Sequence, residues 1–146
     1  MSGSWSVYWY NGVIVSSEIS RGLDIAELVP SAFISQNEID AAKSVHFNYS
    51  NVQGQAKLVW PATFALARAY LDQLERSKGL AAGEIASARD ALAAAEKASD
   101  TERREGLTQL AAQLEEGAGG RDSAKVRTLA DVVKQLAAAP GLARGE

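Results

Sequence analysis

The chain contains a single histidine, His46, and no cysteine. A Ser-His-Asp triad or a histidine-ligated metal site would have to use this one imidazole. No second histidine or cysteine stands at ligand spacing beside it. His46 also falls at the end of a predicted helix, where an imidazole can bond the last carbonyl groups of the helix. We therefore predict a structural role for His46, and no catalytic or metal-binding residue in the chain.

Carboxylates and a glycine-rich run are the other features that could do chemistry. Asp24 and Glu27 lie on opposite faces of one predicted strand, so they do not form a carboxylate pair for acid and base catalysis. Residues 117–120, GAGG, follow a predicted helix and lack the Gly-Lys-Ser/Thr end of a phosphate-binding loop. We predict an interhelical linker there, no cofactor and no enzymatic activity.

Aromatic residues near the N-terminus have more potential as a binding surface. Trp5, Tyr8, Trp9 and Tyr10 fall within six residues of a predicted strand. Aromatic clusters can stack on sugars or bases, but at strand alternation they more often form a core or an interface. We predict a protein interface made of these four residues and Ile14. The alternative is a small-ligand or carbohydrate-binding module that uses the same cluster.

Charge and hydropathy exclude some classes of partner. The 15 basic and 18 acidic residues give a net charge of −3, which offers nucleic acid no basic surface. The longest apolar run, residues 58–71, is interrupted by Arg68 and is shorter than the ~20 residues that span a bilayer. We predict neither nucleic-acid binding nor membrane insertion. The first residues lack the basic and apolar regions of a secretory signal, so we expect none.

The N-terminal residues have the pattern of an antiparallel meander. Asn11 and Gly12 form the strongest two-residue hairpin signal, between a run rich in aromatic and β-branched residues and a second apolar run. A second turn is predicted around Gly22. The predicted strands are residues 5–10, 13–15 and 23–28. Strand alternation places Trp5, Val7 and Trp9 on one face of the sheet and Tyr8 and Tyr10 on the other, so we expect both faces to need a cover.

Two helices are predicted after the meander. Ser35 and Glu38 form a capping box that begins a helix over residues 36–46, in which Ile39, Ala42 and Val45 point inward. A second helix is predicted over residues 61–79. It has Pro61 at its first position and Gly79 in the left-handed position past its end. Its predicted buried stripe is Trp60, Phe64, Ala67, Leu71 and Leu74.

The remaining chain is rich in alanine and contains no aromatic residue. Helices are predicted over residues 80–98, after a second capping box at Ser99 and Glu102, and from Asp122 to a stop at Pro140 and Gly141. Short connections favour an antiparallel three-helix bundle. The predicted inward residues are Ile85, Ala88, Leu92, Ala95, Leu107, Leu110, Leu114, Val126, Leu129, Val133 and Leu136. The fold class is thus α+β, with domains at residues 1–79 and 80–146.

Two segments of the N-terminal half resemble a known family. They are residues 7–43, VYWYNGVIVSSEISRGLDIAELVPSAFISQNEIDAAK, and residues 60–76, WPATFALARAYLDQLER. Together they resemble the C-terminal end of bacterial LVIVD-repeat proteins, over about residues 5–78. Those proteins are extracellular or cell-surface proteins believed to fold as β-propellers. The resemblance does not extend to the alanine-rich tail.

This resemblance implies that the meander is the closing part of a propeller blade, whose faces pack on neighbouring blades. It implies an extracellular or cell-surface location and brings no catalytic residues with it. We expect a non-enzymatic structural or interaction module, the C-terminal part of a larger surface or secreted propeller protein. We expect it to associate through its aromatic sheet, with itself or with a propeller-type partner.

Overall fold

The computed structural model describes residues 3–49, 51–54, 57–120 and 122–139. The chain divides into two compact units, Met1–Pro61 and Ala62–Glu146. We call the first the sheet unit and the second the helical unit. An N-terminal antiparallel sheet followed by helices confirms the predicted α+β class. Along the chain, the division between the units falls between Pro61 and Ala62. The domain boundary predicted from the sequence follows residue 79.

The sheet unit begins with three antiparallel strands in the order β1-β2-β3. Their bounds are β1 (Ser4–Tyr10), β2 (Val13–Glu18) and β3 (Gly22–Ala26). The predicted hairpin turn is confirmed, because Asn11 and Gly12 both have positive φ, 47° and 92°. Two successive positive φ values define a type I′ turn, whose twist matches that of the flanking strands. Gly22, with φ 93°, occupies the second turn.

The carboxylate of Glu18 stabilises the end of the sheet that contains the β2–β3 turn. The side chain of Glu18 is buried, with 5% of its surface exposed. It accepts hydrogen bonds from the backbone N–H groups of Gly3 at 3.0 Å and of Ser20 and Arg21 at 2.7 Å each. These bonds favour the ionised form, so the pKa of the Glu18 carboxyl lies below its ordinary value of 4.5. The charge thus holds both the N-terminal strand and the β2–β3 turn.

One helix and a long connection complete the sheet unit. Helix α1 (Gln36–Lys43) begins at the predicted capping box, in which Ser35 Oγ accepts from Glu38 N at 3.2 Å and Glu38 Oε2 accepts from Ser35 N at 2.7 Å. The helix ends before the predicted residue 46. A short 3-10 turn covers Val52–Gly54. The buried residues of helix α1 are Ile39 and Ala41, so Ala41 is buried where Ala42 was predicted to be.

The chain after α1 is fastened to the hairpin turn. The side-chain amide of Asn11 donates to the Phe47 carbonyl at 3.0 Å, and its oxygen accepts from Phe47 N at 2.7 Å. The Tyr10 hydroxyl donates to the same carbonyl at 3.1 Å. Gly12 is close-packed as well, since a Cβ there would lie 3.1 Å from Lys43 Cγ. Positive φ and close packing therefore both require glycine at this turn.

The helical unit contains four helices instead of the predicted three. They are α2 (Phe64–Ser77), α3 (Ala82–Lys97), α4 (Asp100–Glu116) and α5 (Ser123–Ala138). Each packs on two others, in the closed order α2-α3-α4-α5 and back to α2. The fourth member is the helix that the sequence suggested as part of the first domain. All eleven inward residues predicted for the tail are buried, which confirms that pattern. The predicted stop at Pro140 and Gly141 lies outside the described residues.

Both ends of α2 differ from the sequence prediction, and the N-terminal end is shorter than predicted. The helix begins at Phe64, because Thr63 Oγ1 accepts from Leu66 N at 3.1 Å and acts as the N-cap. Pro61 is therefore not the first helical residue, and Trp60 is not part of the buried stripe but 42% exposed. Ala67, Leu71 and Leu74 are buried as predicted.

The C-terminal end of α2 has its left-handed residue at Lys78, with φ 56°, and not at Gly79. Lys78 N donates to Glu75 O at 3.1 Å and Gly79 N donates to Leu74 O at 2.8 Å, which together form a Schellman motif. Gly79 is needed for packing instead, since a Cβ there would lie 2.7 Å from Asp122 Oδ2. Asp122 was predicted to cap α5 with its side chain, but its carboxylate accepts from Ser77 Oγ.

Of the two hydrogen bonds of the second predicted capping box, the structure has the one from the Ser99 N–H group to Glu102. The Glu102 carboxylate accepts from Ser99 N at 3.2 Å, as predicted. The Ser99 hydroxyl also bonds to Glu102, at 2.7 Å, and is not the acceptor for the helix N–H. Across the unit, Arg89 of α3 bonds Asp72 at 2.8 Å and Glu75 at 2.7 Å on α2. This ion-pair group joins two helices whose alanine side chains bury little area each.

Lowering the pH should weaken the sheet unit through Glu18. A folded-state pKa below the unfolded value stabilises the fold at pH values above about 4.5, and this contribution is lost as the pH falls through the folded pKa. All three tryptophans, Trp5, Trp9 and Trp60, lie in the sheet unit, so their fluorescence reports its unfolding. We expect the urea midpoint to fall as the pH is lowered below about 4.5.

Glu18→Gln is the matched variant for this prediction. It removes the titrating group but keeps one side-chain oxygen as an acceptor. The variant should be less stable than the wild type at pH 7, and the two should converge as the pH falls through the folded-state pKa of Glu18. Parallel urea midpoints of the two proteins across this range would contradict the role of Glu18.

Two single substitutions at the end of α2, Lys78→Gly and Gly79→Ala, should have opposite effects on the free energy of unfolding. Lys78→Gly relieves a left-handed lysine and should raise the free energy of unfolding of the helical unit by about 0.5–1 kcal/mol. Gly79→Ala should lower it by about 1–3 kcal/mol, because the new methyl group has no space. Far-UV circular dichroism during urea unfolding measures both. Stabilisation by Gly79→Ala would show that Gly79 is not close-packed.

Candidate functional site

The predicted interface residues do not share one face of the sheet. Tyr8 and Tyr10 lie on one face, whereas Trp9 and Ile14 are direct cross-strand partners on the other. Trp5 lies where the pairing shifts from Ser4 opposite Glu18 to Ser6 opposite Ser17, which is a β-bulge. In the described part of the chain the aromatic side chains form no single cluster. Carbohydrate binding on one platform of Trp and Tyr rings therefore gains no support from this arrangement.

One face carries a continuous apolar row across all three strands. Tyr8 pairs directly with Val15, and Val15 pairs directly with Ile25. Tyr8 is 43% exposed and Ile25 is 65% exposed. We call this surface the tyrosine face. Its apolar members are Tyr8, Tyr10, Val13, Val15, Leu23 and Ile25. Ser6 and Ser17 share this face, and their hydroxyls are hydrogen bonded at 3.1 Å.

The opposite face also contains both apolar and polar residues. Val7, Trp9 and Ile14 lie on it, but so does the polar pair of Ser16 and Asp24. The Ser16 hydroxyl is hydrogen bonded to that of Ser4 at 2.7 Å. Asp24 is held by the guanidinium of Arg21 at 2.6 Å, which lowers the pKa of the Asp24 carboxyl. The row that contains this polar pair begins at Val7, which pairs directly with Ser16.

Exposure separates the two compact units sharply. The large hydrophobic residues that are exposed among those described all belong to the sheet unit, and none belongs to the helical unit. They are Trp5, Val7, Tyr8, Ile19, Leu23, Ile25, Val29, Phe33, Tyr49, Leu58, Val59 and Trp60. Exposed apolar area concentrated in one unit is typical of a surface that contacts another molecule.

Leu23 and Ile25 are exposed residues of the tyrosine face that the predicted interface did not include. Their alternation was visible, since both were assigned to one face of the predicted third strand. Their position beside Tyr8 was not visible, because it depends on the register between strands β2 and β3. Of the predicted residues, Tyr8 and Tyr10 belong to the tyrosine face with them.

The residues considered for chemistry are not assembled into a site. His46 is exposed and lies beyond the end of α1. Among the described residues, no group of three or more His, Asp or Glu side chains is placed to hold a metal ion. Residues 117–119 connect α4 toward α5, as the linker prediction supposed.

Two cavities in the helical unit also lack aromatic residues. One of about 340 Å³ lies between α3 and α4 and is lined by leucines, glycines and the polar side chains of Glu84, Ser87 and Gln113. Another of about 530 Å³ lies between α4 and α5, with Arg104, Glu115 and Lys134 at its rim. Neither holds the Trp and Tyr residues that the ligand-binding alternative would use.

No helix among the described residues is both long and apolar enough to cross a membrane.

Comparison of the chain with protein-family models, with characterised proteins and with solved structures finds no match. The resemblance to the end of LVIVD-repeat proteins therefore stays a prediction that rests on residues 7–43 and 60–76.

Proposed function

We propose that the sheet unit is a non-enzymatic protein-interaction module and that the tyrosine face is its contact surface. The observation that supports this proposal most directly is the exposed row of Tyr8, Val15 and Ile25. An apolar row of this kind on a three-stranded sheet has no cover from the sheet itself.

The free energy of burying apolar side chains favours the binding of a protein to the tyrosine face. Full burial of a leucine, isoleucine or aromatic side chain contributes about 1.5–3 kcal/mol. Leu23 and Ile25 are 59% and 65% exposed, so much of that free energy is still available to an association. Tyrosine suits such an interface because it combines a large apolar ring with a hydroxyl that can remain hydrated at the rim.

A wider setting follows from the family resemblance, as part of the same proposal. If the chain corresponds to the end of an LVIVD-repeat protein, the sheet belongs to a propeller-type assembly at the cell surface or outside the cell. A sheet with apolar residues on both faces is what such an assembly uses, because each blade packs between two others. The partner of the sheet unit is then a protein, either a second copy or a propeller-type chain.

Self-association is the part of this proposal that the purified chain can test. We expect the mass measured by light scattering to rise with protein concentration from that of a 15.5 kDa monomer toward that of a dimer. Ile25→Lys should weaken the association at least tenfold, about 1.4 kcal/mol, because it places a charge in the apolar row. Ile25 is mostly exposed, so the substitution should leave the fold intact, and circular dichroism checks this.

Phe33→Lys is the matched control. Phe33 is 87% exposed, carries a larger apolar side chain than Ile25, and lies outside the three strands. It should associate like the wild type. A monomer at every concentration would overturn self-association through the tyrosine face, as would equal loss of association in both variants.

A further inference from the structure

Among the described residues, no strand pairs with the outer side of β3. The two-residue turn is closed by a hydrogen-bonded pair, Tyr10 and Val13. Hydrogen-bonded and non-hydrogen-bonded pairs alternate along antiparallel strands. Residues 13, 15 and 17 of β2 therefore bond to β1, and residues 14, 16 and 18 bond to β3. Since Ser16 pairs with Asp24, the N–H and C=O groups of Asp24 point inward.

It follows that the N–H and C=O groups of Leu23 and Ile25 point away from β2. Among the described residues no further strand lies beyond β3, which ends the order β1-β2-β3. The side chains of Leu23 and Ile25 are mostly exposed too. β3 thus presents both an open hydrogen-bonding edge and part of the tyrosine face.

The other edge of the sheet is less suited to pairing. β1 carries the bulge at Trp5, and bulges interrupt the regular ladder that a new strand would need. β3 pairs with β2 in unbroken register from Ala26 to Gly22. β3 therefore offers a regular template over its whole length, whereas the regular part of β1 begins only at Ser6, after the bulge.

Charge and hydrogen bonding decide how a second copy could pair with this edge. A two-fold axis at Asp24 would set its carboxylate directly opposite that of the second copy, which is unfavourable. An axis at Leu23 would require the N–H of Arg21, which already donates to Glu18 at 2.7 Å. An axis at Ile25 meets neither obstacle, because it sets Asp24 opposite Ala26 and Leu23 opposite Glu27.

We propose that two copies of the chain join edge to edge, with β3 antiparallel to β3 of the second copy and Ile25 opposite Ile25 at the two-fold axis. This inference rests on the proposed function, because it names the partner and the geometry of the same surface. The dimer contains one six-stranded sheet. The row of Tyr8, Val15 and Ile25 continues across the axis into the same three residues of the second copy, in reverse order.

Amide hydrogen exchange measured by NMR tests the geometry. At concentrations where light scattering shows a dimer, the N–H groups of Leu23 and Ile25 should exchange at least tenfold more slowly than in the dilute monomer. Asp24 N–H should be protected in both states, because it bonds to β2. Unchanged exchange at Leu23 and Ile25 in a dimer would overturn edge pairing while leaving association through the tyrosine face in place.

Cysteine cross-linking provides an independent measurement, because the natural chain has no cysteine. In the proposed dimer the two Ile25 side chains are cross-strand neighbours, within reach of a disulfide. Ile25→Cys should form a disulfide dimer under mild oxidation at least tenfold faster than Phe33→Cys. Tyr8→Cys should be as slow as Phe33→Cys, because the two Tyr8 positions lie at opposite sides of the six-stranded sheet.

The outcomes separate the two proposals. Fast cross-linking through Ile25→Cys alone supports edge pairing. A dimer in which Tyr8→Cys cross-links as fast as Ile25→Cys would indicate packing of face against face and would overturn the edge geometry. A chain that is monomeric at every concentration would overturn this inference and the self-association expected of the proposed function together.

Discussion

Two consecutive positive φ angles, at Asn11 and Gly12, are the constraint on which the sheet unit depends. They select a type I′ turn, and that turn sets which residue of β1 stands opposite each residue of β2. A slip of one residue would move every side chain to the other face. The same turn also fastens the chain after α1, because both polar atoms of the Asn11 amide bond to Phe47. The tyrosine face and the open edge of β3 depend on this register together with the register between β2 and β3.

The two compact units solve the burial of apolar surface in different ways. In the helical unit, four helices pack in a closed order, so each apolar stripe has neighbours on two sides. Leu71, Leu92 and Leu129 have no exposed surface there. In the sheet unit a three-stranded sheet and one short helix provide fewer layers, and large hydrophobic residues remain exposed on both faces of the sheet. A contact with another molecule is the usual means of burying such area.

Charged groups stabilise the places where the chain reverses direction. Glu18 collects three backbone N–H groups at the β2–β3 end of the sheet, where no other strand could pair with them. Arg89 joins two acidic side chains of α2 to α3, and Asp122 meets Ser77 where α2 ends and α5 begins. None of these carboxylates is arranged with a second functional group for catalysis. Their positions are explained by hydrogen bonds that stabilise the fold.

The sequence alone determined the features that depend on neighbouring residues. These are the I′ turn at Asn11 and Gly12, the capping box at Ser35, the three strands, and the apolar stripes of the tail helices, because turn chemistry, capping and periodicity are local. Tertiary structure decided the rest. It placed the left-handed residue at Lys78 and not at Gly79, which packs against Asp122, and it assigned α2 to the helical unit. It also brought Ile25 beside Val15 and Tyr8, because strand register, and with it the composition of a face, is set by pairing between distant segments and not by the pattern of any one of them.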